Sequence, residues 1–86
     1  MLLETTNTYE ATWYLMNGAR LKNVVFTKND NGTLFYKIVV DEIDERFVRY
    51  WYQYRPIGNI RVFADTRMEL KRKIHEYQNQ KSEVSP

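Results

Sequence analysis

No cysteine occurs among the 86 residues. That excludes a disulfide framework and any thiolate metal site. Histidine occurs once, at position 75. At helical pitch it falls about 140° from Leu70, so it reads as a solvated surface residue rather than a general base. Glycine occurs three times, singly at 18, 32 and 58, and no Gly-rich loop is available to cradle a phosphate. Walker, dinucleotide-binding and nucleophile-elbow motifs are absent. The uncharged apolar runs reach only three or four residues, against the roughly 20 that a membrane-spanning helix needs. The opening MLLETTNTYEATWY has no basic n-region, long apolar stretch or small-residue cleavage site. The expectation is therefore a cytoplasmic, non-secreted protein with no membrane association. It has no catalytic residues, no bound metal and no cofactor, and it is not an enzyme.

What the chain has in abundance is aromatic and basic contact chemistry, concentrated in one place. Residues 46–55 read RFVRYWYQYR, five aromatics and three arginines in ten positions. Net charge is only +2, but it is unevenly spread. Residues 1–45 hold four basic and seven acidic side chains, net −3, whereas residues 46–86 hold nine basic and four acidic, net +5. Such asymmetry points toward an anionic partner.

Local signals predict a single α+β domain over residues 1–80, followed by a flexible polar tail at 81–86. Asn7 with Glu10 has capping-box spacing. The segment YEATWYLMN then suits a short helix ended by Gly18, with Ala11, Trp13, Tyr14 and Leu15 on its buried side. Residues 20–28 and 33–40 are β-branched and aromatic, and between them Asn29-Asp30-Asn31-Gly32 is a hairpin signal. Of the two registers available, a three-residue loop with Gly32 in the bulge sets Phe26 opposite Tyr36 and Val24 opposite Ile38. It gathers Val24, Phe26, Leu34, Tyr36, Ile38 and Val40 on one face, which a one-residue slip would undo. Asp41, Glu42, Asp44 and Glu45 read as acids at a helix start rather than as a metal cluster, since the EF-hand spacing is missing.

Ile43, Phe47, Tyr50, Trp51 and Tyr54 then recur at helical spacing, and Pro56 ends that helix near Tyr54. For the remainder, Ile60, Phe63, Leu70, Ile74 and Tyr77 share one helical sector. This favours one helix over about 60–79; the rival is a third strand at 59–63. Phe47, Trp51, Leu70 and Ile74 are the expected core. The order is α-β-β-α-α, with one antiparallel hairpin packed against helices, because a lone hairpin is marginally stable.

A short helix stopped by glycine, a hairpin, a helix with an aromatic centre and a closing helix carry a resemblance. The closing helix reads R-x-x-L-K-x-x-I at Arg67-Met68-Glu69-Leu70-Lys71-Arg72-Lys73-Ile74. Over residues 8–77 the chain resembles a family of uncharacterised domains of about 80 residues, found in bacteria, archaea and phages. The resemblance implies a phage or mobile-element accessory protein, acting in a host cytoplasm. It carries no site residues with it.

The candidate binding residues are Arg46, Arg49, Tyr52, Arg55, Arg61 and Arg72. Guanidiniums contact phosphates, and an exposed tyrosine offers a stacking surface. On that reading they form a basic-aromatic helical face, with Lys71 and Lys73 beside it, for nucleic acid or a nucleoprotein. A competing reading is a solvated face, with Arg46 and Arg49 paired to Glu42 and Glu45 at i,i+4. The alternative function is a protein–protein interaction module that modulates a host factor or self-associates, because Tyr, Trp and Arg are also the usual interface anchors.

Overall fold

The structure, a computed structural model, describes residues 1–56 and 58–84, with side chains to residue 79. The elements run β1 (Leu3–Thr5), α1 (Thr8–Met16), β2 (Arg20–Lys28), β3 (Leu34–Asp41), α2 (Glu45–Tyr54) and α3 (Ile60–Val84). The fold is α+β, as expected, but a strand precedes the predicted order. β1 pairs antiparallel with β3, giving a three-stranded sheet in the order β1-β3-β2. The pairing reaches past the strand end. The Met1 ammonium donates to the Ile43 carbonyl at 2.8 Å, and the Ile43 N–H donates back to the Met1 carbonyl at 3.1 Å.

The hairpin adopts the register favoured by its loop chemistry. Phe26 faces Tyr36 and Val24 faces Ile38. The Gly32 N–H bonds the Asn29 carbonyl across the turn, and Gly32 has φ +84, a left-handed conformation that glycine adopts without steric cost. A bulge between Leu21 and Asn23 adjusts the twist of β2 where it meets the helices. The central strand buries Ile38, Val39 and Val40 in succession, with Ile38 and Val40 turned to the core. Leu34, at the strand's start, is exposed.

Both early helices are capped as their sequences require. The Asn7 carboxamide oxygen accepts from the Tyr9 and Glu10 N–H groups. The Asp44 carboxylate accepts from the Arg46 N–H. α2 ends in Arg55, left-handed at φ 49, just before Pro56. α3 is one unbroken helix from residue 60, begun by Asn59, whose side chain accepts from the Arg61 and Val62 N–H groups.

α1 lies on the sheet, and α2 and α3 each pack against α1. No Cα of α2 comes within 8 Å of one of α3 among the described residues. The core joins Ala11, Trp13 and Tyr14 of α1 to Val24, Ile38 and Val40 of the sheet, and to Trp51, Leu70 and Ile74. Of the expected core, Trp51, Leu70 and Ile74 are buried and Phe47 is half-buried. Three apolar positions depart from expectation. Tyr50, Tyr54 and Ile60 are 49%, 61% and 75% exposed. Among the described elements the backbone of α2 comes close to α1 alone, so only part of its aromatic arc is covered. Ile60 lies in the first turn of α3, ahead of Phe63, whose ring stacks on Tyr9 of α1.

Candidate functional site

The six sequence-predicted binding residues are all exposed, and they divide into two groups. Arg46, Arg49, Tyr52 and Arg55 belong to α2 and its end, whereas Arg61 and Arg72 belong to α3. Each of these helices packs on α1 and their backbones stay apart among the described residues, so the six are split between two helices. Three of the five arginines are matched by carboxylates. Arg46 binds Asp44 at 2.6 Å, Arg49 meets Glu45 at 3.4 Å, and Arg72 bridges Glu69 and Glu76. The expected partner of Arg46, Glu42, instead pairs with Arg20 across the strand ends at 3.2 Å. Counting Asp41 through Arg55, four carboxylates meet three arginines, and this surface is not basic.

The pairing leaves electrostatic traces. The Arg46 guanidinium and backbone N–H hold the Asp44 carboxyl down at about 2, and Asp44 in turn raises Arg46. Arg72 likewise lowers Glu69. These are solvent-exposed pairs, worth little to stability individually. A phosphate contacting these arginines would have to displace carboxylates already in place.

Arg55 is different. It has no carboxylate partner among the described residues. Its guanidinium rests 5.2 Å from the Trp51 ring centre and 5.5 Å from that of Tyr52, within cation–π range. Arg61 also has no ion pair among the described residues.

What α2 presents most distinctively is a chain of rings running from core to solvent. Trp13 meets Phe47 edge-on with centroids 6.0 Å apart, and its indole N–H donates to the Phe47 carbonyl at 3.1 Å. Tyr50 stacks on Trp13 at 5.8 Å, and Tyr54 lies 4.9 Å from Tyr50. The outer two rings are held in place yet open to water. Gly58 passes close beneath: a Cβ there would come within 3.3 Å of the Trp13 ring and 3.2 Å of Met16.

Sequence reasoning missed a buried polar cluster beneath α2. Glu10 is 5% exposed. The Thr5 hydroxyl donates to one of its oxygens at 2.8 Å and the Tyr14 hydroxyl to the other at 2.6 Å. Thr5 also accepts from the Asn7 N–H, so the capping box is completed through a threonine of β1. Tyr52 turns its polar end toward the same carboxylate. The Glu10 charge, then desolvation and hydrogen bonding to Glu10, raise its pKa, while Arg55 acts in the opposite direction. Burial, followed by the Glu10 hydrogen bond, drives the Tyr14 hydroxyl well above the ordinary tyrosine range. Both phenols therefore stay protonated as donors. A bowl of about 320 Å³ opens beside Glu10, lined also by Glu4, Thr6 and Lys37. The available signal was Glu10 and Tyr14 one helical turn apart. The contribution of β1 had no local sign.

A separate cleft of about 350 Å³ is lined by Asn7, Tyr9, Trp51, Arg55, Pro56 and Phe63. No group of three or more His, Cys, Asp or Glu side chains among the described residues is arranged to hold a metal ion. No helix among them is long and apolar enough to cross a membrane. Comparison with protein-family models, curated proteins and solved structures finds no match for the chain.

Proposed function

We propose that this protein is a non-enzymatic interaction module whose contact surface is the outer face of α2. Tyr50 and Tyr54 are its aromatic anchors, and Arg49 and Arg55 flank them. The observation that carries this reading is the pair of exposed tyrosines built outward from Trp13, Tyr50 stacked on its ring and Tyr54 tilted against Tyr50. Their rings are pre-ordered, so little side-chain entropy remains to be lost on binding. Tyrosine and arginine are the residues that dominate interface hot spots.

The mixed charge of the face favours a protein partner over nucleic acid, because most of its guanidiniums already have carboxylate partners. The resemblance to small phage and mobile-element domains suits an accessory that acts on a host factor in the cytoplasm.

Nucleic acid is the second reading, supported by the unpaired Arg55 and Arg61. Titration of single- and double-stranded oligonucleotides at several salt concentrations separates the two. The protein reading expects no saturable binding beyond weak association that vanishes at moderate salt. Tight binding with a steep salt slope, flattened by about one unit in Arg55→Ala or Arg61→Ala, would replace it.

A further inference from the structure

The cleft beside the start of α1 is assembled differently from the open face of α2, with which it shares Arg55. Its aromatic lining comes from Tyr9, Trp51 and Phe63, with Pro56 at one edge. Tyr9 and Phe63 stack nearly parallel with centroids 6.0 Å apart. Two cations stand on these rings. Arg55 lies against Trp51, and the Arg67 guanidinium sits 4.5 Å from the Tyr9 ring centre. Neither has a carboxylate partner among the described residues, unlike Arg46, Arg49 and Arg72.

Two further features lack an internal explanation. Trp51 is 5% exposed, and its indole Nε1 is buried without an acceptor. The Nε of Arg67 is also buried and unpaired. Buried donors without partners are uncommon, and each costs free energy. Arg55, moreover, closes α2 with a left-handed backbone, φ 49, a helix-ending conformation that sets its side chain at the edge of this cleft. Asn7 brings the N-terminal end of α1 to the same cleft, adding a partial positive charge.

We propose that this cleft binds an oxyanion carried on a planar aromatic body, with Arg55 as the charge partner, the aromatic lining of Tyr9, Phe63 and Trp51 receiving the ring, and Trp51 Nε1 as a neutral donor. The volume matches the small end of ligand pockets. A carboxylate and a phosphate share the required chemistry. The guanidinium fork accepts either one.

The test is a ¹⁵N-resolved NMR titration of the full chain with benzoate, with phenyl phosphate and with neutral benzyl alcohol, followed at the two indole N–H signals. The Trp51 indole signal should move saturably at millimolar benzoate or phenyl phosphate. The Trp13 indole, already bonded to Phe47, should stay in place and report an intact fold. Response to one anion alone assigns the oxyanion class, and response to both assigns a general aryl-oxyanion site. Arg55→Gln should weaken binding about tenfold or more, the equivalent of about 1.4 kcal/mol, and Arg72→Gln should leave it unchanged. The proposal is overturned by an unmoved Trp51 signal with both anions, by an equal response to benzyl alcohol, or by full affinity in Arg55→Gln.

Discussion

α1 and α2 are of similar length and both rich in aromatic residues, yet they spend them in opposite ways. α1 lies beneath both other helices and on the sheet, and it buries Trp13 and Tyr14, leaving only Tyr9 half-exposed. Among the described elements, the backbone of α2 comes close to that of α1 alone. Of its five aromatics it buries Trp51, half-buries Phe47 and leaves Tyr50, Tyr52 and Tyr54 exposed. Helical periodicity identifies the direction of an apolar face, but the number of neighbouring elements decides how much of that face is covered. An aromatic arc wider than its neighbour leaves a surplus, and the surplus on α2 is the surface assigned to a partner.

The contrast is broken most forcefully at the buried end of α2. Trp51→Ala should cost about 3–5 kcal/mol by loss of apolar burial and creation of a cavity. Urea denaturation followed by circular dichroism should show a large fall in midpoint or no folded baseline. An unchanged midpoint would mean that α2 is not anchored through this residue.

Next comes the polar anchor under α1. Tyr14→Phe removes one donor from the buried Glu10 carboxylate and should cost about 1–3 kcal/mol, measured by the same denaturation. Parent-like stability would show that the Thr5–Glu10–Tyr14 cluster contributes nothing to holding β1 against α1.

A smaller effect is expected with pH. The Asp44 carboxyl is held at about 2 in the folded chain, below the ordinary aspartate value of about 4. Its contribution to stability is therefore fully present above the unfolded value and is lost as pH falls through the window from about 4 to 2. Because the group is exposed, salt should shrink the effect. In Asp44→Asn the acid-side decline in melting temperature should be shallower over that window. An identical acid limb would remove the assignment.

The smallest effect is expected at the surface. Tyr54→Ala should change stability by no more than about 0.5 kcal/mol, as for substitutions away from buried features. A loss comparable to that at Trp51 would make Tyr54 a structural residue and erase the difference between the two helices.

Much of the fold was legible because its signals are local. Asn7 capped α1 as its spacing implied, Gly32 set the hairpin register, and the sector shared by Phe63, Leu70 and Ile74 kept α3 in one piece. β1 was not legible, since Leu3–Thr5 holds one apolar residue in three and its pairing is with a strand more than thirty residues away. An indirect hint lay in β3, where three consecutive buried aliphatics suit a central strand with two neighbours.

The site was legible only as composition. Arg46, Arg49, Tyr52, Arg55, Arg61 and Arg72 were each expected at the surface and lie there. Their placement relative to one another and the turn of Tyr52 toward Glu10 depend on packing that no local pattern contains, whereas the carboxylates beside Arg72 lie at i,i+3 and i,i+4 spacing, a local pattern. The cleft joining Tyr9, Trp51 and Phe63 comes from three different helices, so periodicity within one helix could not reveal it.

The most direct measurement places a photoreactive p-benzoylphenylalanine at Tyr54 and, as a control, at Val25 on the sheet, which is 40% exposed. Each protein is expressed in the cells the chain comes from, irradiated, and its adducts are identified by mass spectrometry. A discrete protein adduct formed from position 54 and not from position 25, and lost when Tyr50→Ala is added, is the result predicted. Adducts to nucleic acid alone, or the same protein adducts from both positions, would contradict it.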